Sequence, residues 1–564
     1  MKVRGRAYAS PGCVLLAFDW PDGGRHEDFL GFAIQRSPGY EGRETSWLEN
    51  KLDFRPLTPD AQPKPSSQAP FQKFHWWDGG IDEKDRGRSF RYRVIPVRGS
   101  GADDLRLVED DAGEITLTIP QHREGAIATY FNRAVVSSQS FARLVKKGAS
   151  LEGQMDWLAD GIQDAFPAIL DGADSFRCAI YHLTDRRWVL PLLRNFGGRG
   201  RIVYHEDTKE QESRKALDAE PLGPNVETKA RFEGTLMHNK FLVRERNGQG
   251  EAVLMGSANF TPEGLTTQAN LLHVFHSAQL AKAYAGRFEL LAQDRPKREI
   301  SGLASWLEID DVPGSAIRLF FSPEKTRNRE ALDSVIQAVN EARSSVLFCA
   351  YSPTDAGLLK AILAAGDNGK ILHGMLNSIP KPGEESSAIA VELYHRSRKD
   401  RKILKYGYFG KDDAPRGFLP ELYTIDVSRY AAGKEPGERP WPVQIHHKFI
   451  LIDGDTDHPV IYTGSANFSR NSSINNDENL LEIKGNRRLA EVYVAEFMRL
   501  YEHFRARAIW DLSHPRKAEE GTGSFRREAA AKDYALVLKT HRADWDRDAY
   551  TPGTPALLSR TRLL

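Results

Sequence analysis

Over the first 120 or so residues the apolar positions alternate or run in short β-rich blocks: CVLLAFDW, FLGFAIQR, SFRYRVIPV and EITLTIP, with Gly, Pro and Asp clusters between them. That rhythm predicts strands joined by turns, and one β-sandwich is the economical architecture. Residues 57–70, LTPDAQPKPSSQAP, read as a Pro/Ser-rich loop. Further on the period becomes helical, in MDWLADGIQDAFPAI (155–169) and NREALDSVIQAVNEA (328–342). A strand, helix and strand follow each of them, over 177–205 and 346–376. Both first strands lead through a tyrosine (Tyr181, Tyr351) into Thr-Asp (184–185, 354–355), a cap for the next helix.

These α/β stretches belong to a repeat. His238-Asn239-Lys240, an apolar run and Gly256-Ser257-Ala258-Asn259 return as His446-His447-Lys448, FILID, a turn, VIYT and Gly464-Ser465-Ala466-Asn467. His238 to His446 and Gly256 to Gly464 span the same 208 residues, and LAKAYAGRF (280–288) returns 209 residues later as LAEVYVAEF. The Tyr-to-Thr-Asp region is offset by 170, so the second copy carries 38 extra residues before its histidine. Two duplicated α/β units follow. Alternation along HHKFILID puts His446 and Lys448 on one strand face and His447 on the other. AVLM and VIYT read as the returning antiparallel strands, which leaves Ser and Asn of each GSAN near the histidine.

A lone His-x-Lys is ordinary surface chemistry; a doubled one with GSAN at fixed distance is a catalytic pattern. One His, one Lys and one Asn, twice over, suit a phosphodiester in transfer. Lys240, Lys448, Asn259 and Asn467 can hold the anionic oxygens. One imidazole, of His238 or His446, can attack phosphorus while the other protonates the leaving group and then activates water. Ser257 and Ser465 are candidate supporting donors. No metal or other cofactor is expected, since no Cys/His/carboxylate spacing offers a metal site.

HxK(x)4D followed by GSxN resembles the phospholipase D superfamily, and His446, Lys448, Asp453 with GSANF match it fully. Glu478, eleven residues after Asn467, agrees with the family's downstream Glu. The resemblance covers about 125–510 and implies a covalent phosphohistidine and an active site between two lobes. The first copy departs from it twice: Glu245 stands for Asp, preserving a structural hydrogen bond, and Asn270 (or Ala269, with a one-residue gap) stands for Glu478. A carboxylate beside an imidazole orients it and stabilises its cation, so the histidines are not equivalent. Family habit makes His238 the nucleophile, whereas a pairing of Glu478 with His446 would favour the latter.

The expected fold is therefore α/β, two phospholipase D-like sandwich units forming a pseudo-dimer, plus an N-terminal all-β sandwich. The boundaries read 1–122, 123–305, 306–512, and a C-terminal helix and polar tail over 513–564. The order of Trp20, Phe32-Ala33-Ile34, Trp77 and Tyr92 loosely resembles a fibronectin type III domain, with Tyr92 near the corner-tyrosine position, and such a module is a spacer or a platform for a protein partner.

Composition restrains the function. Hydrophobic residues at 40% and charged residues at 27% describe a globular protein, and no apolar run reaches the ~18 residues of a spanning helix. Three cysteines, Cys13, Cys178 and Cys349, argue against a disulfide framework and for a cytoplasmic location, with Cys178 and Cys349 read as core residues. A net charge of +1 gives no global pull toward nucleic acid. A phospholipid headgroup is the favoured substrate of a phosphodiesterase that hydrolyses or transfers. Metal-independent cleavage of DNA or RNA is the alternative, and a phosphate-binding adaptor the third reading. The basic, aromatic stretch 394–411 reads as a nucleic-acid or headgroup contact or as a solvated surface. Residues 428–444 read as a lid, His447 as a packing residue, and His182 as a loop histidine.

Overall fold

The computed structural model describes all residues except 137, 207–210, 234–235, 380–387, 400–401, 406, 408, 410–413, 422–443, 514–515, 519–524 and 528–535. The lid expected over 428–444 lies outside them, save Gln444. The chain forms two compact units, one of residues 1–121, 409–420 and 488–564, the other of 122–408 and 421–487.

The first unit is built on two larger antiparallel sheets. Three strands run in the order Arg4–Ala9, Val14–Asp19, His75–Asp78. The second sheet runs Gly113–Thr118, Ser89–Gly101, Phe29–Ser37, Ser46–Trp47, with Asp104–Leu107 also on Ser89–Gly101. The four blocks read as strands from their alternation are all strands, because their apolar faces close on one core that includes Phe18, Trp20, Phe32 and Tyr92. Tyr92 does not bond a main-chain group as a corner tyrosine would; its hydroxyl donates to Asp78 Oδ2 at 2.8 Å, beside Arg36 on the same oxygen at 2.8 Å.

The C-terminal residues are part of this unit's packing. The helix Arg487–Ser513 buries Glu502 against Lys73 and His75 at 2.6 and 3.1 Å. Trp545 packs edge-on to Phe29 at 5.1 Å, and Arg560 donates to Asp19 at 2.7 Å. Of the stretch read as a C-terminal helix and tail over 513–564, Arg516–Ala518 pairs with Phe525–Arg527, residues 528–535 lie outside the described residues, and Pro555–Arg562 is helical.

The second unit contains the duplication. Its first sheet is ordered Arg123–Glu124, Ile127–Phe131, Leu271–Phe275, Gln249–Gly256, Lys240–Arg246, Ser175–Ile180, Arg199–His205, Val226–Arg231. Its second runs Trp306–Ile309, Ala316–Ser322, Asn476–Lys484, Val460–Gly464, Lys448–Ile452, Ser345–Ala350, Ile371–Leu376, Ile403–Lys405, the same order strand for strand. The paired parallel strands are crossed by helices Val189–Arg194 and Ala356–Asp367, the α/β pattern their alternation predicted. The Thr-Asp signals cap as expected: Asp185 Oδ1 accepts from the amides of Trp188 and Val189, and Asp355 Oδ1 from that of Leu358. Cys178 and Cys349 are buried in the inner strands.

Candidate active site

Each His-x-Lys motif opens the central strand of its sheet, and each returning strand ends in Gly-Ser-Ala-Asn. The glycines allow a close crossing there. A Cβ on Gly256 would lie 2.3 Å from the Leu271 carbonyl oxygen, and one on Gly464 2.3 Å from that of Asn479.

The histidines are held by the opposite copy of the repeat. The short strand Leu236–Met237, which runs into His238, pairs in parallel with Asn476–Asp477; Gln444–Ile445, which runs into His446, pairs with Gln268–Ala269. The His238 amide donates to the Asp477 carbonyl at 2.9 Å, and the His446 amide to the Ala269 carbonyl at 3.1 Å. The side chains repeat this exchange. His238 Nδ1 lies 2.8 Å from Glu478 Oε2, and His446 Nδ1 lies 2.9 Å from Asn270 Oδ1. Glu478 thus serves His238 and not His446, and Asn270, not Ala269, is its counterpart. Sequence order concealed this because each partner sits in the other lobe.

The donors are set by the surrounding bonds. Asn270 Nδ2 donates to the Gly264 carbonyl at 2.8 Å, so its Oδ1 faces the imidazole and suits a proton on His446 Nδ1, with Lys448 Nζ 3.3 Å from the same nitrogen. Ser257 Oγ donates to the same Oδ1 at 2.8 Å, and the Ser465 side chain hydrogen-bonds Glu478. Both serines, read from the sequence as supporting donors, hold the residue behind the opposite histidine. Asn476 Nδ2 donates to Glu478 Oε1 at 3.2 Å. With both carboxylate oxygens facing donors, the geometry suits ionised Glu478 and a His238 proton on Nδ1. In each ring the atom left for chemistry is Nε2.

Lys240 and Lys448 are fully buried, and each Nζ donates to the carbonyl of the histidine two residues before it at 2.8 Å. Among the described residues, neither ammonium forms an ion pair. Each sits near a tyrosine ring, Lys240 at 5.2 Å from Tyr181 and Lys448 at 5.8 Å from Tyr351. The same rings lie edge-on to His238 and His446, at 5.1 and 5.4 Å. Asn259 is buried and Asn467 half-buried, and Oδ1 of each has no hydrogen-bond partner among the described residues.

Burial dominates the proton equilibria. It holds both imidazoles well below their usual range, reinforced by the two ammoniums. It holds Lys240 well below the usual lysine range and pushes Lys448 down to about 7. Glu478 is pushed up to about 7 by the same burial, against the pull of Lys240. Two histidines and two lysines thus share one buried site with a single carboxylate, Glu478.

The remaining sequence candidates lie farther out. Glu245 accepts from Ser175 Oγ at 2.9 Å and pairs with Arg177, while Asp453 accepts from the amides of Arg343, Ser344 and Ser345. Both pin the far ends of the motif strands. His182 stacks on Tyr181 at 3.9 Å with Glu212 3.4 Å from its Nδ1, beside the site. His447 packs between Phe131 and Phe449. In the 394–411 stretch, Arg396 is paired with Asp367 and Glu392. His205 and Asn377, singled out by no motif, each accept the amide preceding a motif histidine, at 3.4 and 3.1 Å. Among the described residues, no cluster of three or more His, Cys, Asp or Glu converges as a metal site would.

Two matching sheets, each contributing a His-x-Lys strand to one pocket, define a duplicated α/β protein of the phosphodiester-acting superfamily. The chain belongs to the phospholipase D-like family, matching its cardiolipin synthase, PLD-like domain model over residues 168–292 and 335–501. No curated protein matches it. Among solved structures it is similar to phosphatidylserine synthase of Haemophilus influenzae, at 12% identity and TM-score 0.40 over 61% of this chain and 85% of that one. It is also similar to Nuc of Salmonella typhimurium (19%, TM-score 0.22, 34% and 95%) and to yeast tyrosyl-DNA phosphodiesterase (12%, TM-score 0.32, 58% and 86%).

Proposed function

We propose that the protein is a phosphodiesterase that works through a phosphohistidine on His238, with His446 as the acid and base. The observation that carries this is the unequal pair of second partners: a carboxylate, Glu478, behind His238 and a neutral amide, Asn270, behind His446. A carboxylate stabilises the positive charge an imidazole acquires when its Nε2 bonds to phosphorus. An amide orients the ring without that stabilisation, which keeps His446 a ready proton donor.

The steps balance on these residues. His238 Nε2 attacks phosphorus; the phosphorus–oxygen bond to the leaving group breaks as protonated His446 gives that oxygen its proton. His446, now neutral, takes a proton from water or an alcohol, whose oxygen attacks phosphorus and releases His238. Lys240 and Lys448 neutralise the equatorial oxygens, and the anion in turn restores the protonation that burial discourages. A half-turn of the Asn259 and Asn467 amides presents an NH2 where an unpaired Oδ1 now lies, two more donors for the same oxygens.

A phospholipid headgroup ester is the substrate we favour, in keeping with the name of the matching family model. Nucleic acid is the second reading, supported by the Tyr181 and His182 stack beside the nucleophile, a surface suited to a base. On the three free, buried cysteines we place the activity in the cytoplasm, and on the strand orders given above we read the N-terminal unit as a fibronectin type III-like platform for a protein partner. Liposomes and single-stranded DNA offered side by side to wild type and His446→Asn decide the substrate. Headgroup release lost in the variant supports the first, DNA cleavage lost in it supports the second, and no turnover of either contradicts the assignment as an enzyme.

A further inference from the structure

Among the described residues, one charged cluster beside the site has no counterpart in the other half. Asp477 precedes Glu478, and its carbonyl accepts the His238 amide. Its carboxylate takes Arg231 Nε on Oδ2 and Arg287 Nη2 on Oδ1, both at 2.9 Å. All three side chains are buried, the arginines at 1% and 4% exposure. Arg231 ends the strand Val226–Arg231 and Arg287 lies on the helix Ala278–Ala292, both of the first repeat, whereas Asp477 belongs to the second.

The cluster continues outward. Arg231 Nη1 donates to Asp294 Oδ1 at 3.1 Å, and that oxygen also accepts the amides of Phe232 and Glu233, residues leading toward His238. Arg287 also donates to the Ser322 carbonyl, on the strand beside Asn476–Lys484. At the equivalent place behind His446 stands Ala269, which offers its carbonyl and no charge. An unpaired aspartate here would be costly to bury, and two guanidiniums give it a fixed geometry.

We propose that Asp477, clamped by Arg231 and Arg287, is a positioning residue for His238: it locks the two repeats together at the one place where the His238–Glu478 pair must keep its alignment. The half that makes and breaks the phosphorus–nitrogen bond carries the clamp; the half that moves protons does without it. Attack on phosphorus tolerates little misplacement, since an error of about 1 Å can cost on the order of 100-fold in rate. This inference rests on the reading of His238 as nucleophile.

The test uses the full chain and bis-para-nitrophenyl phosphate, with phosphoenzyme formation followed in a single turnover. Asp477→Asn keeps an oxygen for one arginine, and Asp477→Asn with Arg287→Gln removes one charge of each sign, so the second variant leaves no unpaired charge should the first fail to fold. Arg318→Gln is the control: it breaks the 2.8 and 2.6 Å bonds to Glu482 farther along the same strand. The expected result is a 10- to 100-fold slower phosphoenzyme formation in the Asp477 variants with KM within twofold, while Arg318→Gln lowers the melting temperature and leaves the rate within twofold. Asp477 variants within twofold of wild type, or losses that track melting temperature equally in all variants, overturn the proposal. If wild type forms no phosphoenzyme, the functional reading fails on its own. The clamp is then judged by the imidazole proton resonance of the His238–Glu478 bond, expected to shift or vanish in Asp477→Asn and, if unchanged, overturning it.

Discussion

Two ammoniums and one carboxylate buried in a single pocket are a standing cost to the fold. Lys448, held down to about 7 from the ordinary 10.5, binds fewer protons folded than unfolded. Its penalty is therefore full below pH 7 and fades as pH rises toward 10.5. Lys448→Met is expected to raise stability by roughly 1–3 kcal/mol at pH 7, to lose that advantage by pH 10.5, and to abolish turnover. Thermal melts across that range check it; a gain that grows with pH contradicts it. Glu478, raised to about 7, must be ionised to stabilise the His238 cation. The free-enzyme kcat/KM should accordingly fall as pH drops through about 7. Glu478→Gln should lie about 100- to 10,000-fold lower and lack that acid limb in a pH–rate profile, by analogy with the loss of a triad carboxylate.

Among elements, the central strands of the repeat were legible because alternation, a fixed offset of 208 residues and capping Thr-Asp pairs all agreed. The candidate site residues His238, Lys240, Asn259, His446, Lys448 and Asn467 were legible with them. What escaped was the exchange between copies. Nothing local in NNDENLLEI says that Glu478 faces a histidine 240 residues away, or that Ser465 and Ser257 point backward to hold Glu478 and Asn270. In the tail, local propensity did not show the pairing of Arg516–Ala518 with Phe525–Arg527. Arg560 shows how firmly the C-terminus belongs to the first unit. It is buried, donates to Asp19, and lies 3.7 Å over the Tyr550 ring. Arg560→Ala should cost about 3–5 kcal/mol by stranding the Asp19 charge. A denaturant titration reads this directly, and a loss under 1 kcal/mol would show the tail to be dispensable.

For the molecule as a whole, duplication supplies a near-symmetric scaffold, and a few substitutions break the symmetry. In the mechanism we propose, Glu478 against Asn270 and Asp477 against Ala269 separate a nucleophilic half from a proton-transferring half. His446→Asn should still form the phosphoenzyme from a substrate with a good leaving group and then stall, whereas His238→Asn should form none. The most direct measurement is to quench a single turnover of a labelled phosphodiester and map the modified residue by mass spectrometry. The account predicts label on His238 alone in wild type, accumulating in His446→Asn. Label on His446, or shared between the two, would contradict it.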